Sequence, residues 1–210
     1  MMPMPNPDRS PAYLWYDLEF TSLDLERADL LQLALVLTDA DLRRLTPPDR
    51  DLNLYVQVVP GQRLSPWVEK HLEGVLQKCR GADAVPFGAV EARVCAHIDA
   101  ILGEPSADIR ARPVIAGNSV HADYYLSRRL LPGLLDRCHY RILDVSVLKL
   151  QWQDWLGAEP FDKDNPRQVQ AWFPGAALAP DGQAHDAYYD VQASIAELAF
   201  YRAHLRRNEG

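Results

Sequence analysis

The segment YLWYDLEF carries two carboxylates, Asp17 and Glu19, inside a run of apolar and aromatic residues that is typical of a buried strand. Because alternate residues of a strand point to the same face, both acids would lie on one side of it. Two buried carboxylates need cations, and hard divalent ions prefer oxygen ligands. The D-x-E spacing therefore indicates a metal site. The alternative is an exposed strand end with both acids in water.

Two further acids and a histidine stand near predicted helix starts. Asp123 follows the turn sequence GNS and lies in the first turn of the next helix, where an acid can also simply complement the helix dipole. His185 and Asp190 belong to the segment HDAYYD, which begins the last predicted helix. For these two residues the alternative is an ordinary surface pair.

Considered together, the four carboxylates and the histidine favour metal-assisted hydrolysis of a phosphodiester. Two divalent ions roughly 4 Å apart can clamp the attacking and the leaving oxygens. Imidazole is a base at neutral pH, so His185 is the candidate that takes the proton from the attacking water. This chemistry requires a first strand, a middle helix and a last helix to meet at one edge of a sheet.

The elements that must bring these residues together follow from the hydrophobic patterns. Strands are predicted at residues 13–20, 30–38, 52–59, 113–116 and 140–145. Helices are predicted at residues 67–79, 87–102, after the GNS turn, at 146–155 and at about 186–205. Residues 157–183 are predicted to form a long loop with a short helix near 167–172. This order indicates an α/β fold, a mixed five-stranded sheet with helices on both faces.

Length and cysteine content narrow the class of protein. The chain has 210 residues, 48% of them hydrophobic, which suits a single domain over residues 13–210 behind a disordered tail of residues 1–12. The tail lacks the pattern of a signal peptide, and no apolar run approaches the roughly 20 residues of a membrane span. Three cysteines without a C-x-x-C pair indicate a reducing cytoplasm.

The net charge bears on the size of any nucleic-acid substrate. With 22 basic and 29 acidic residues, the chain carries a formal charge of −7. Proteins that track long nucleic acids draw much of their affinity from basic contacts to phosphates, so this balance argues against a long polyanion. A short one remains compatible, because divalent ions would supply positive charge at the site itself.

Four segments resemble the oligoribonucleases, a group within the DEDDh family of 3′→5′ exonucleases. They are WYDLEFTSLD from Trp15, GNSVHAD ending at Asp123, HYRILDVS from His139, and HDAYYD with the following VQASIAELAFYR. The match extends from Trp15 to about Leu205, and the GNS-x-x-x-D and HYR-x-LDVS motifs are typical of oligoribonucleases rather than of the wider group. The resemblance implies a ribonuclease H-like fold.

The resemblance also implies roles for individual residues. The ligands of two Mg²⁺ or Mn²⁺ ions would be Asp17, Glu19, Asp123 and Asp190, with His185 as the general base. Substrate contacts would come from Leu23, which wedges against the bases, from Trp67, which stacks on the 3′ base, and from His71, Ser119 and Ser146. Tyr140 and Arg141 would reach across a homodimer to the 5′ end of the substrate in the second subunit. One departure is Ser22, which stands where the family has glycine.

The function that the resemblance implies is the hydrolysis of short RNA, dinucleotides especially, to nucleoside 5′-monophosphates at the end of RNA degradation. Arg141 can bind a terminal 5′-phosphate bidentately, and a cleft closed at both ends favours a short substrate. Two alternatives stay open. One is an exonuclease for longer single-stranded DNA or RNA ends, and the other is a non-catalytic nucleotide-binding module.

Overall fold

The structure, a computed structural model, describes residues 12–178 and 185–207; the predicted tail, apart from Ala12, lies outside these residues. The strands are β1 (Tyr13–Phe20), β2 (Leu30–Thr38), β3 (Leu52–Tyr55), β4 (Val114–Gly117) and β5 (Ile142–Asp144). The first helices are α1 (Pro66–His71), α2 (Glu73–Cys79), α3 (Val90–Leu102) and α4 (His121–Leu130). They are followed by α5 (Pro132–Leu135), α6 (Val145–Leu156), α7 (Pro166–Trp172) and α8 (Ala187–Arg207).

The five strands form one mixed sheet in the order β3-β2-β1-β4-β5. β1 pairs antiparallel with β2, and β2 pairs antiparallel with β3. β1 pairs parallel with β4, and β4 pairs parallel with β5. The predicted mixed five-stranded sheet is confirmed. Because β1, β4 and β5 run in the same direction, their carboxyl ends lie at one edge, where open α/β sheets place their sites.

Alternation along β1 divides its side chains between two cores. Leu14 and Leu18 pack in the core formed with α3 and α4, whereas Trp15 packs in the core formed with α6, α7 and α8. The prediction of helices on both faces is confirmed. Asp17 and Glu19 follow Trp15 at alternate positions, so both acids emerge on the face that α8 covers.

Several predicted boundaries were wrong, and three of them have a visible structural reason. β3 ends at Tyr55 rather than at residue 59; Val56 still donates its N–H to the Leu31 carbonyl oxygen of β2, but it also forms a parallel bridge to Val85. The predicted helix at 67–79 is two helices, since Leu72 adopts a non-helical backbone (φ −109°, ψ 29°) between α1 and α2. β5 stops at Asp144, whose side chain accepts a hydrogen bond from the Ser146 N–H and so begins α6 one residue earlier than predicted.

The long segment before α8 is packed against the sheet for much of its length. Phe161 and Phe173 are buried in the core beneath α7 and α8, and α7 begins at the predicted position within one residue. Residues 179–184 lie outside the described part of the chain. Across the described segments, the helices are all too short or too polar to cross a bilayer.

Candidate active site

Three of the predicted metal ligands meet where β1 faces the start of α8. Asp17 and Glu19 lie on the α8 face of β1, and Asp190 lies one turn into α8. Each of the three offers a carboxylate oxygen, and these oxygens lie within 4.8 Å of one another. The D-x-E spacing therefore places both acids on one face of β1, as the alternation of side chains along a strand predicts, and α8 supplies the third acid.

The fourth acid, Asp123, reaches the same place from α4. Its side chain is only 5% exposed, and its Oδ1 accepts a hydrogen bond of 3.0 Å from the backbone N–H of Leu18. β4 must approach β1 closely to bring α4 there: a Cβ on Gly117 would lie 3.1 Å from the carbonyl oxygen of Tyr16. A side chain at that position would push α4, and with it Asp123, away from β1.

The turn that carries α4 is also tied to α8. The amide of Asn118 donates to the Glu197 carboxylate at 2.7 Å and to the Ser194 hydroxyl at 3.1 Å. The Tyr201 hydroxyl donates to the other oxygen of Glu197 at 2.9 Å, so this buried carboxylate is held on both sides. The network fixes the separation between the two helices that contribute Asp123 and Asp190.

Burial and mutual repulsion make the acidic cluster resist ionisation. Loss of water, followed by the negative charges of Asp123 and Asp190, raises the pKa of Asp17 well above its ordinary value. Burial and the charge of Asp190 likewise raise the pKa of Glu19 to about 8, and burial raises that of Asp123. Such a site suits a divalent cation, which prefers oxygen ligands. Its positive charge would offset both the loss of solvation of the carboxylates and the repulsion between them.

His185 stands two residues before the start of α8 in a left-handed backbone conformation, with φ of +63°. Non-glycine residues rarely adopt this region, and those that do are held by their surroundings. The next residue, Asp186, supplies the restraint: it accepts hydrogen bonds from the Tyr55 hydroxyl at 2.9 Å and from the Tyr188 N–H at 3.0 Å. The His185 ring meets the edge of Trp67, with ring centroids 5.4 Å apart.

A cleft of about 490 Å³ opens beside the four acids. Among the predicted substrate contacts, Leu23, Trp67 and Ser119 line this cleft. Leu23 is 88% exposed and Trp67 is 48% exposed, which is unusual for large apolar side chains. His71 does not line the cleft but stacks on Trp67 from the next turn of α1, with centroids 4.6 Å apart. The cleft is thus lined by the four acids on one side and by the aromatic ring of Trp67 on another.

The remaining predicted contacts lie outside the lining of this cleft. The Ser146 hydroxyl donates to Asp144 at 2.6 Å, and the same carboxylate oxygen accepts the Ser119 N–H. Tyr140 is largely exposed just before β5, with the guanidinium of Arg141 5.7 Å from the centre of its ring. The structure does not bring Tyr140 and Arg141 to the acids of the same chain.

Sequence reasoning missed one charged residue of the site. Lys163 lines the cleft, and its Nζ lies 3.2 Å from the Oδ1 of Asp190. It stands in the long segment before α8, where no helical or strand period links it to the acids. The length of that segment was the only signal that it has a function.

Comparison with known proteins identifies the family. A family model described as Exonuclease (RNase_T) matches residues 14–198 of the chain. The chain belongs to this exonuclease family. It is therefore a nuclease hydrolase of the 3′→5′ exonuclease class, whose members depend on divalent metal, and the acidic cluster lies within the matched region.

Relatives of this exonuclease include proteins named oligoribonuclease. One from Francisella tularensis subsp. holarctica is 28% identical over 194 residues, which cover 91% of this chain and 94% of that protein. A probable oligoribonuclease from Schizosaccharomyces pombe is 28% identical over 196 residues, covering 91% of this chain and 67% of that one. The resemblance stated from the motifs is thus confirmed at the level of sequence similarity.

Solved structures of exonuclease I share the fold. A complex of E. coli exonuclease I with single-stranded DNA superposes with a TM-score of 0.62 at 16% identity, covering 95% of this chain and 42% of that chain. The enzyme from Methylocaldum szegediense gives a TM-score of 0.64 at 18% identity, with coverages of 93% and 41%. The exonuclease therefore has the predicted ribonuclease H-like fold, and it spans about two fifths of the exonuclease I chains.

Proposed function

We propose that this exonuclease is a 3′→5′ exoribonuclease that hydrolyses short oligoribonucleotides, dinucleotides especially, to nucleoside 5′-monophosphates. The observation that carries the proposal is the cleft in which Asp17, Glu19, Asp123 and Asp190 lie beside the exposed side chains of Leu23 and Trp67. Its volume of about 490 Å³ falls in the range of small-molecule sites rather than of long nucleic-acid channels.

The chemistry of the site follows from its charges. Two divalent ions, Mg²⁺ or Mn²⁺, would offset most of the negative charge of the scissile phosphate and of the four carboxylates that hold them. His185, preceding α8, would accept a proton from the attacking water as that water approaches the phosphorus in line. The ring of Trp67 offers a flat apolar surface on which the 3′ base stacks, and Leu23 wedges beside it.

The length preference is proposed to come from a second copy of the chain. Tyr140 and Arg141 lie outside the cleft of their own subunit, which suits a role in the site of a homodimer partner. Apolar side chains beside them on β5 and α6 are exposed; they are Ile142, Val147, Leu150 and Trp155. A dimer that covered this face would bury these side chains and would present Arg141 to a terminal 5′-phosphate.

The free thiols of Cys79, Cys95 and Cys138 agree with the proposed cytoplasmic location.

The first experiment compares 5′-labelled RNA of two and seven nucleotides, with Mn²⁺ and then with chelator. We expect rapid, metal-dependent loss of the dinucleotide and slow trimming of the heptamer. Equal or faster trimming of the heptamer would leave the metal chemistry standing but would remove the preference for dinucleotides. Hydrolysis that persists in chelator would contradict the metal site.

Complementation between two inactive variants tests the dimer. Arg141→Ala leaves the acids intact, whereas Asp17→Asn leaves Arg141 intact but disables its own metal site. If Arg141 acts across the interface, mixing the two variants forms a heterodimer with one complete site, and dinucleotide hydrolysis returns. No recovery after mixing, together with a monomeric mass in light scattering, would contradict the proposal.

A second candidate function is trimming of longer single-stranded ends. The observation that favours it is the structural similarity to an exonuclease I described as a complex with single-stranded DNA. The net charge of −7 speaks against it, because an excess of acidic side chains disfavours binding of a long polyanion. The third alternative, a non-catalytic nucleotide-binding module, predicts no hydrolysis by the unaltered protein. If the site is catalytic, Asp17→Ala combined with His185→Ala should abolish turnover, and hydrolysis retained in that variant would place the active site elsewhere.

A further inference from the structure

Lys163 places a positive charge inside the acidic cleft. Its Nζ donates a hydrogen bond of 3.2 Å to the Oδ1 of Asp190, and its charge also favours the ionised forms of Asp17 and Glu19. Of the cleft-lining residues in the described part of the chain, Lys163 alone is basic. The ammonium therefore balances part of the charge of the carboxylate cluster.

The backbone around Lys163 is fixed, as an active-site position requires. The hydroxyl of Tyr189 donates to the carbonyl oxygen of Lys163 at 2.8 Å. Upstream, the Trp152 indole donates to the carbonyl oxygen of Glu159 at 2.9 Å, and Phe161 is 2% exposed in the core beneath α8. Tyr189 and Asp190 are neighbours on α8, so one turn of helix holds both the backbone and the ammonium of Lys163.

A divalent ion and this ammonium compete for the same oxygens. The cluster formed by Asp17, Glu19 and Asp190 has its oxygens within 4.8 Å of one another, and Lys163 already contacts one of these acids. A cation at the centre of the cluster would lie a few ångströms from the ammonium, where like charges repel strongly. A lysine stem is flexible enough to swing out when the ion enters.

We propose that Lys163 is a built-in counter-ion that occupies the position beside Asp190 in the metal-free enzyme and must be displaced when a divalent ion binds there. The proposal rests on the metal site of the proposed function. Lys163 then offsets the repulsion among Asp17, Glu19 and Asp190 without metal and sets the concentration of divalent ion at which the site fills. This role concerns binding and not the reaction itself, so it is measurable without substrate.

Calorimetric titration of Mn²⁺ into the chelator-treated, full-length protein tests the proposal. Lys163→Met keeps most of the aliphatic stem and removes the charge, so we expect Mn²⁺ to bind roughly tenfold tighter or more. Lys163→Arg retains the charge and should bind Mn²⁺ more weakly than the methionine variant does. Lys149→Met on α6, outside the cleft lining, removes one positive charge elsewhere and should leave the affinity unchanged.

The outcomes separate this inference from the proposed function. Unchanged or weaker Mn²⁺ binding in Lys163→Met, beside clear binding in the unaltered protein, would overturn the counter-ion role alone. The absence of Mn²⁺ binding in the unaltered protein would overturn the metal site itself. If the methionine variant does not fold, Lys163→Gln replaces it with the same expected tightening, and circular dichroism establishes which neutral variant is folded.

Discussion

The backbone N–H of Leu18 donates to the Oδ1 of Asp123 at 3.0 Å, across 105 positions of sequence. Leu18 stands between Asp17 and Glu19, so this bond fixes the fourth acid directly to the strand segment that carries the first two. The parallel pairing of β1 with β4 ends at Trp15 and Ala116, three residues before Leu18. The Leu18 N–H therefore donates to the Asp123 side chain instead of to a carbonyl oxygen of β4.

Asp123→Asn and Asp123→Ala should therefore separate the structural role of this residue from its metal role. Asparagine keeps an oxygen that accepts the Leu18 N–H, so Asp123→Asn should lose Mn²⁺ affinity and activity while retaining stability. Alanine leaves the buried N–H unpaired, and the free energy of unfolding should fall by about 1–3 kcal/mol in addition. Urea unfolding and Mn²⁺ titration of the two variants, side by side, test this. Equal stability of the two variants would show that the hydrogen bond contributes nothing.

The stability of the metal-free protein should fall as the pH rises from 5 to about 8. Burial, then the charge of Asp190, raises the pKa of Glu19 from 4.5 to about 8, and the pKa values of Asp17 and Asp123 are also raised. In this window the folded state keeps protons that the unfolded state has released, so rising pH favours unfolding. Urea unfolding at several pH values in chelator measures the slope.

The control for this pH dependence is the double variant Glu19→Gln with Asp123→Asn, which should show a shallower fall. Mn²⁺ should stabilise the unaltered protein most at the alkaline end, because ionised carboxylates are the ligands. A metal-free stability that rises with pH, or a double variant with the same slope, would contradict the assignment of the titrating groups.

His185→Ala should lower kcat by about 10²–10⁴-fold, the usual contribution of a general base, while Mn²⁺ binding is retained. Asp17→Asn should instead weaken Mn²⁺ binding and lose activity together, because Asp17 lies in the carboxylate group. His97→Ala on α3 serves as the matched imidazole control and should leave kcat unchanged, because His97 lies near Asp51, whereas His185 contacts the cleft-lining Trp67. A His185→Ala enzyme with unaltered kcat would remove this residue from the chemistry.

Tyr55 is expected to act as a positioning residue for His185. Its hydroxyl donates to Asp186 at 2.9 Å and accepts from Lys78 at 2.7 Å, which restrains the residue after the left-handed His185. Tyr55→Phe should lower kcat roughly tenfold, the equivalent of about one hydrogen bond, with little change in KM. In a His185→Ala background the same substitution should have no further effect on kcat. An additive loss in the double variant would indicate a general structural defect instead.

Trp67→Ala should raise KM rather than lower kcat. The ring is 48% exposed and lines the cleft, so its removal costs little packing but takes away a surface for base stacking. Stacking contributes about 1–3 kcal/mol per base, so KM for a dinucleotide should rise about 5- to 150-fold. Trp67→Phe should recover much of the affinity. Wild-type KM in both variants would show that the 3′ base binds elsewhere.

The local pattern of the sequence was enough for most of the sheet and for the elements that carry the acids. Alternation in YLWYDLEF put Asp17 and Glu19 on one face of a strand, and the structure has that strand at the predicted residues. The GNS turn and the HDAYYD segment likewise predicted the helix starts beside Asp123 and Asp190. These features can be predicted from the sequence because they depend on hydrophobic patterns that repeat every few residues and on the residues that form turns, both of which are local.

Only the tertiary structure shows which charged residues line the same cleft. No spacing links Lys163 to Asp190, 27 positions away, or the Leu18 N–H to Asp123; packing of Phe161 under α8 and the end of the β1–β4 ladder create those contacts. The break at Leu72 is equally non-local, because the buried cluster around that residue determines where α1 ends. Sequence patterns report the environment that a residue prefers, whereas long-range hydrogen bonds and ion pairs depend on where the chain returns after folding.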